Sequence, residues 1–321
     1  MKDQFQRNID YLRVSVTDRC NLRCKYCMPN GVCPVTHEEV LRYDEILRLA
    51  RLFAKLGITH VRVTGGEPLV RKDVVELVAG LKQTEGIRTV SMTTNGTLLP
   101  KFGEALQKAG LDSVNISLDT TDEDLAAAIT GQSGVVALVE ESVALMQRLN
   151  IPVKLNAVLL KETEASMANV ARFAERGVPV RFIELMPIGS GAGMAGLSSA
   201  EALSALRRAY PDLHPAKEHL GFGPARYFES ARLKAPIGLI DAVSHRFCAG
   251  CNRVRLTSTG VLKPCLCFDE GRALAPLLRG GADDEALLFA MRACIYKKPL
   301  QHCFDAPEGV TEHKLMSQIG G

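Results

Sequence analysis

The sequence predicts an α/β protein, a partial (β/α)6 barrel followed by a smaller α+β C-terminal domain. Three observations predict it. Six short β-branched runs alternate with longer stretches whose apolar residues recur at spacings of three and four, which is strand and amphipathic helix in turn. Residues suited to chemistry gather where these runs end, as they do at the carboxyl ends of barrel strands. Beyond about residue 215 the alternation gives way to short strands, turns and helix, which divides the chain into 7–215 and 216–321.

Taken in order, the first strand spans 12–17, carries Arg13 and runs into a loop holding Cys20, Cys24 and Cys27. A helix follows, with Ile46, Leu49, Ala50, Phe53 and Leu56 on one face. The second strand, 60–64, carries Arg62 and ends at Thr64-Gly65-Gly66-Glu67-Pro68; the third, 89–93, ends at Thr93-Thr94-Asn95-Gly96. The fourth, 113–117, leads through Ser117 to Asp119, and the fifth, 153–158, carries Lys154 and Asn156. The sixth, 180–184, carries Arg181 and leads to Met186 and Pro187. No close sequence repeat underlies this alternation.

Composition narrows the function classes. With 321 residues, 46% of them hydrophobic, the chain can bury a large core, yet no run approaches the roughly 18 consecutive apolar residues of a membrane span. A formal net charge of +3 is too small to argue for nucleic acid. No GxxxxGK[ST] is present, which excludes a P-loop reading, and the GxGxxG at 191–196 follows Pro187 in a small-residue loop instead of a strand. The opening Met1-Lys2-Asp3-Gln4 lacks the marks of a secretory leader, so a reducing cytoplasm is expected, where ten cysteines point to metal or redox chemistry.

Three thiolates from one short CxxxCxxC loop can hold three corners of an iron-sulfur cubane and leave the fourth iron open for chemistry. Zinc, with Cys33 or His37 as a fourth ligand, and a disulfide pair are the alternatives at this point. Gly65 and Gly66 read alone as a turn with positive φ, or as bare backbone that a ligand approaches closely. A second constellation lies downstream, where Cys248 and Cys251 form CxxC, Arg253 and Arg255 follow in Asn-Arg-x-Arg-Leu, and thirteen residues separate Cys251 from Cys265. Cys267 would complete a zinc ribbon, although one residue between Cys265 and Cys267 is tighter than the usual spacing of a ligand pair.

The first loop, with Tyr26 before its third cysteine, resembles the signature of the radical S-adenosylmethionine (SAM) superfamily. That resemblance implies a 4Fe-4S cluster on Cys20, Cys24 and Cys27, and SAM contacts from Tyr26, Gly65, Gly66, Glu67, Ser117 and Met186. From about residue 12 to the final Gly-Gly the chain is similar to the GTP 3′,8-cyclases of molybdenum cofactor biosynthesis. The likeness implies a second 4Fe-4S cluster on Cys248, Cys251 and Cys265 whose open iron meets guanine. It also implies GTP contacts from Arg13, Arg62, Thr93, Lys154, Arg253 and Arg255, with Arg181 a weaker addition, since guanidinium forks and an ammonium suit a triphosphate. Gly320 and Gly321 would thread into the active site, and Arg13 would help deliver a proton.

The expected partners are GTP, an external flavodoxin- or ferredoxin-type one-electron reductant and, as the next enzyme of the pathway, cyclic pyranopterin monophosphate synthase; neither nucleic acid nor membrane is expected. The sequence leaves the oligomeric state open, a homodimer included. Two other classes compete: a radical SAM peptide maturase with an electron-transfer auxiliary cluster, and a non-enzymatic iron-sulfur or zinc protein. Cys33, Cys267, Cys294 and Cys303 read mostly as small apolar fillers, with Cys267 able to compete for the second cluster. His219, His245, His302 and His313 form no i, i+4 metal pair.

Overall fold

The computed structural model describes residues 1–31, 35–217, 220–221 and 223–320, residue 307 without its side chain. Six βα units come first. Strands β1 (Tyr11–Ser15), β2 (His60–Thr64), β3 (Thr89–Thr94), β4 (Ser113–Ser117), β5 (Val153–Leu159) and β6 (Val180–Glu184) lie side by side and parallel in chain order. Between and after them run α1 (Tyr43–Lys55), α2 (Val74–Lys82), α3 (Leu99–Lys108), α4 (Glu123–Thr130), α5 (Val135–Arg148), α6 (Met167–Glu175) and α7 (Ser199–Ala209). The first strand begins and ends a little earlier than 12–17, because pairing with β2 stops at Ser15.

The chain beyond 215 joins this sheet at both edges instead of building one of its own. Strand β9 (Ile237–Ile240) pairs parallel with β6, and β10 (Arg253–Leu256) pairs parallel with β1, so eight parallel strands stand in a row. The short strands β7 (His214–Pro215) and β8 (Arg226–Glu229) continue antiparallel beyond β9, while β11 (Val261–Lys263) and β12 (Arg272–Ala273) do so beyond β10. An edge strand presents unpaired N–H and C=O groups, and these additions move that edge away from β1 and β6. Helices α8 (Ala275–Arg279), α9 (Asp284–Tyr296) and the short α10 (Met316–Ile319) complete the described chain.

Strand alternation separates core from site. Leu12 and Val14 on β1, Val61 and Val63 on β2, Val90 and Met92 on β3 and Val114 and Ile116 on β4 are all at most 1% exposed and belong to one core. The stripe Ile46, Leu49, Ala50 and Phe53 of α1 is buried in that core as its spacing requires. Each such side chain contributes about 1.5–3 kcal/mol when fully removed from water. The other face of β1 carries Tyr11, Arg13 and Ser15. Parallel register places Arg13 beside Arg62 of β2 on one side and Arg255 of β10 on the other, and places Tyr11 beside Arg253.

Candidate active site

The inward strand faces and the loops at their carboxyl ends enclose a cavity of about 650 Å³. Both cysteine trios line it, Cys20, Cys24 and Cys27 from the loop after β1, and Cys248, Cys251 and Cys265 from the turns flanking β10 and β11. Arg13, Arg62, Thr93, Lys154, Arg181, Arg253 and Arg255 line it as well.

The cations are crowded. Burial, then Arg255, holds Arg13 well below the usual guanidinium range; burial and Arg253 bring Arg255 down to about 10. Burial also lowers Arg181 to about 10, and burial with Arg181 and Arg62 lowers Lys154 to about 8. Among the described residues none of Arg62, Lys154, Arg181, Arg253 and Arg255 is ion-paired with a carboxylate. Thr93 Oγ1, Asn156 Oδ1 and the Nε of Arg253 are buried without a hydrogen-bond partner, which is costly unless a ligand supplies one. A polyanion answers the charge and the Arg253 Nε donor, while Asn156 Oδ1, an acceptor, needs a donor such as a ligand hydroxyl.

The first trio fits a cluster. Leu22 N–H (3.4 Å) and Asn95 Nδ2 (3.8 Å) donate to Cys20 Sγ, while Ser317 N–H donates to Cys27. Burial, then Cys20, pushes the Cys27 thiol up to about 12, and Cys24 is raised by burial, Asp119 and both neighbouring thiols. Three half-buried thiols that resist ionisation together suit a cationic iron core, which favours their thiolates. In the second trio His302 N–H donates to Cys248 Sγ at 3.3 Å. Burial pushes Cys251 up, but Lys298 and Arg253 outweigh it and bring the thiol to about 7. Among the described residues no three Cys, His, Asp or Glu side chains close on a single ion, so neither trio is arranged like a zinc site. A cubane spreads its ligands over separate irons and needs no such closure.

Residues 14–174 match the Radical SAM superfamily, and residues 178–304 match Molybdenum Cofactor Synthesis C. The chain is 42% identical to the GTP 3′,8-cyclase of Moorella thermoacetica and 44% identical to that of Heliobacterium modesticaldum, with 100% of this chain and of each relative covered. This chain belongs to the GTP 3′,8-cyclase family. A structure of Streptococcus suis SuiB bound to S-adenosylmethionine shares its fold, with TM-score 0.63 at 17% identity over 97% of this chain and 78% of that one. Membership in the radical SAM superfamily brings a 4Fe-4S cluster and SAM as cofactors.

Within this cyclase-family site, Tyr26, Gly65, Gly66, Ser117 and Met186 all line the cavity beside the first trio. Neither Gly65 nor Gly66 has positive φ, so the turn reading of this pair is corrected. Their reason is close approach: a Cβ on Gly66 would stand 2.3 Å from Arg19 O, and one on Gly65 2.7 Å from Thr17 O. Glu67 is turned away from the cavity and fully buried, its carboxylate accepting from Leu69 N–H (3.0 Å), Thr94 Oγ1 (2.8 Å) and Asn95 N–H (2.7 Å). That side chain ties the β2 and β3 loops together, and Glu67 is not among the residues that line the cavity, in contrast to the SAM contact expected of it.

Gly320 lies buried at φ +77°, where a Cβ would meet Thr64 Oγ1 at 2.9 Å and Ser15 Cβ at 3.0 Å; Gly321 lies outside the described residues. Cys267 does not line the cavity. Its Sγ is 3.2 Å from that of Cys303 in a small apolar cluster with Ile188, Phe304 and Ile319, against which Cys265 also packs. Cys33 and His219 lie outside the described residues. A short helical turn, Gly189–Gly191, ends at the first glycine of the GxGxxG segment, and residues 191–196 form no strand-to-helix phosphate loop.

Sequence reasoning missed Tyr11, which takes a hydrogen bond from Arg62 Nε, and the role of Asp119, which accepts from Tyr26 Oη and Val158 N–H, each at 2.8 Å. Strand alternation with Arg13 was the available signal for Tyr11. Lys298 was also missed, and only tertiary structure reveals its position.

Proposed function

We propose that this chain cyclises GTP to 3′,8-cyclo-7,8-dihydro-GTP, the first step of molybdenum cofactor biosynthesis. The observation that carries the reading is the file of cations, Arg62, Arg253 and Arg255 with Lys154 and Arg181, without a carboxylate partner among the described residues, on the walls of one cavity between two cysteine trios. A nucleoside triphosphate satisfies that charge, and its base and ribose then reach toward opposite trios.

In this reading Cys20, Cys24 and Cys27 hold the SAM-binding cluster, and Cys248, Cys251 and Cys265 hold an auxiliary one. When bound, the clusters and SAM supply the radical that takes the 3′ hydrogen of GTP, a seat for guanine, and one electron for the product. The chain's own residues position and neutralise. Arg62, Lys154, Arg253 and Arg255 bind the phosphates and hold the ribose near SAM. Thr93 and Asn156 offer buried hydrogen-bond groups to the sugar. Gly65 and Gly66 give SAM bare backbone, and Tyr26, held by Asp119, closes its other side. Arg13, in the cation row and beside β10, hands a proton to the closed ring in this reading, which its register next to Arg255 supports.

Residues 7–215 then make the radical-generating barrel, and 216–321 bring the auxiliary cluster and the glycine tail. An external flavodoxin- or ferredoxin-type protein delivers electrons, and cyclic pyranopterin monophosphate synthase takes the product. The cytoplasm is the place this reading gives the exchange; no helix among the described residues is long and apolar enough to cross a membrane.

Anaerobic reconstitution with iron and sulfide, followed by reduction with SAM and GTP, tests the reading. A GTP-derived product of unchanged mass, formed with 5′-deoxyadenosine and lost in C265A, is expected. SAM cleavage with GTP untouched would overturn the substrate and turn the search toward a peptide.

A further inference from the structure

Lys298 follows α9 and is 3% exposed. Its ammonium donates to the carbonyl oxygens of Arg253 at 2.9 Å and Pro264 at 2.6 Å. Arg253 lies two residues after Cys251, and Pro264 immediately precedes Cys265, so one side chain bolts together the two segments that carry the second trio. It also stands near enough to Cys251 to act on its thiol, and it lines the cavity.

The charge of this group is the anomaly. The buried cations Arg7 and Lys263, which do not line the cavity, are matched, Arg7 by Asp3 at 2.6 Å and Lys263 by Glu312. Among the described residues Lys298 has no carboxylate within ion-pair distance. Two carbonyl dipoles satisfy its hydrogens but not its charge, and a buried unmatched ion is strongly disfavoured. Three thiolates around an oxidised cubane leave a net negative charge, which grows by one on reduction.

We infer that Lys298 is the resident counter-charge of the auxiliary cluster, a positioning residue that holds its ligand segments and raises its reduction potential. The inference rests on the second cluster of the proposed function. A cation beside the cluster stabilises the reduced state more than the oxidised one, because the reduced cluster is more negative. Lys298 thereby sets how readily the cluster holds and passes on an electron for the product radical. Sequence distance concealed this: the two carbonyls lie 45 and 34 residues from Lys298.

Full-length wild type, K298M and K298R are reconstituted anaerobically, assayed for iron, and titrated for reduction potential by electron paramagnetic resonance. The expected result is two clusters in wild type, and in K298M an auxiliary cluster with a more negative potential or none at all, while the first cluster still binds SAM. K298R, which keeps the charge, stays closer to wild type in both readings. Two clusters in K298M at unchanged potentials would overturn the inference alone. A single cluster in wild type would overturn the two-cluster reading and this inference with it. If K298M holds neither cluster, pulsed resonance on wild type grown with nitrogen-15 lysine decides: a lysine coupling on the reduced auxiliary cluster supports the assignment, and its absence overturns it.

Discussion

The guanidinium of Arg255 donates a hydrogen bond to the backbone carbonyl of Gly320, joining the cation row of the cavity to the end of the chain. Arg255 sits on β10 beside Arg13 of β1, and Gly320 packs against Ser15 and Thr64 at the ends of β1 and β2. Met316 and Ser317 of the same tail line the cavity, and the Gly320 carbonyl orients one of the arginines proposed to bind substrate.

That contact predicts the effect of G320A. A side chain at positive φ costs about 1–2 kcal/mol, and the Thr64 hydroxyl and Ser15 leave no room for it, so the tail is displaced. Conversion of GTP should fall ~5- to 30-fold, the equivalent of that cost in transition-state stabilisation, while cluster iron content stays at the wild-type level. Rates and iron assays on the same preparation check this.

Removing a guanidinium from the row should weaken substrate binding without disabling SAM. Charge-assisted hydrogen bonds contribute about 1.5–3 kcal/mol, so R253A and R255A should each raise the Kd for GTP ~10- to 100-fold. Equilibrium binding to the reconstituted enzyme reads this, and SAM affinity serves as the control.

Lys154 gives the site a pH dependence. Burial, then Arg181 and Arg62, lowers its ammonium to about 8, and the protonated form is the one that attracts phosphate. Affinity for GTP is thus full below that value and weakens as pH rises through it, with bound phosphate delaying the loss. K154R should remove the slope between about pH 8 and 9.5, since guanidinium stays charged there; K154M should be weak and flat across it. Binding curves at several pH values check both.

Gly66 should tolerate no side chain. A methyl group 2.3 Å from Arg19 O must push the entry of the first cysteine loop aside, an overpacking cost of about 1–3 kcal/mol placed directly at the ligands. G66A should lose the first cluster and retain the second. Iron content and resonance spectra distinguish that outcome from general unfolding, in which both are lost.

The six barrel strands and the two cysteine trios were legible in the sequence because each rests on local pattern, β-branched runs in one case and short thiol spacings in the other. Strands β9 and β10 were not legible as parallel neighbours of β6 and β1. Each has four residues and reaches its partner without a regular βα crossover, so only the sheet's edges show where it belongs. The Gly65-Gly66 pair was legible as important but not for its reason, since close approach to Thr17 and Arg19 is a tertiary fact. Glu67 likewise shows its donors only in three dimensions, two of them arriving from the β3 loop. Lys298 looked like any surface lysine after a helix until its carbonyl partners came together around it.

The most direct measurement of the central claim is isotope transfer from GTP deuterated at C3′, using reduced enzyme with SAM. Deuterium recovered in 5′-deoxyadenosine, together with a cyclised nucleotide that has lost it, is the predicted result. 5′-Deoxyadenosine without deuterium and GTP recovered intact would contradict GTP as the molecule this cavity transforms.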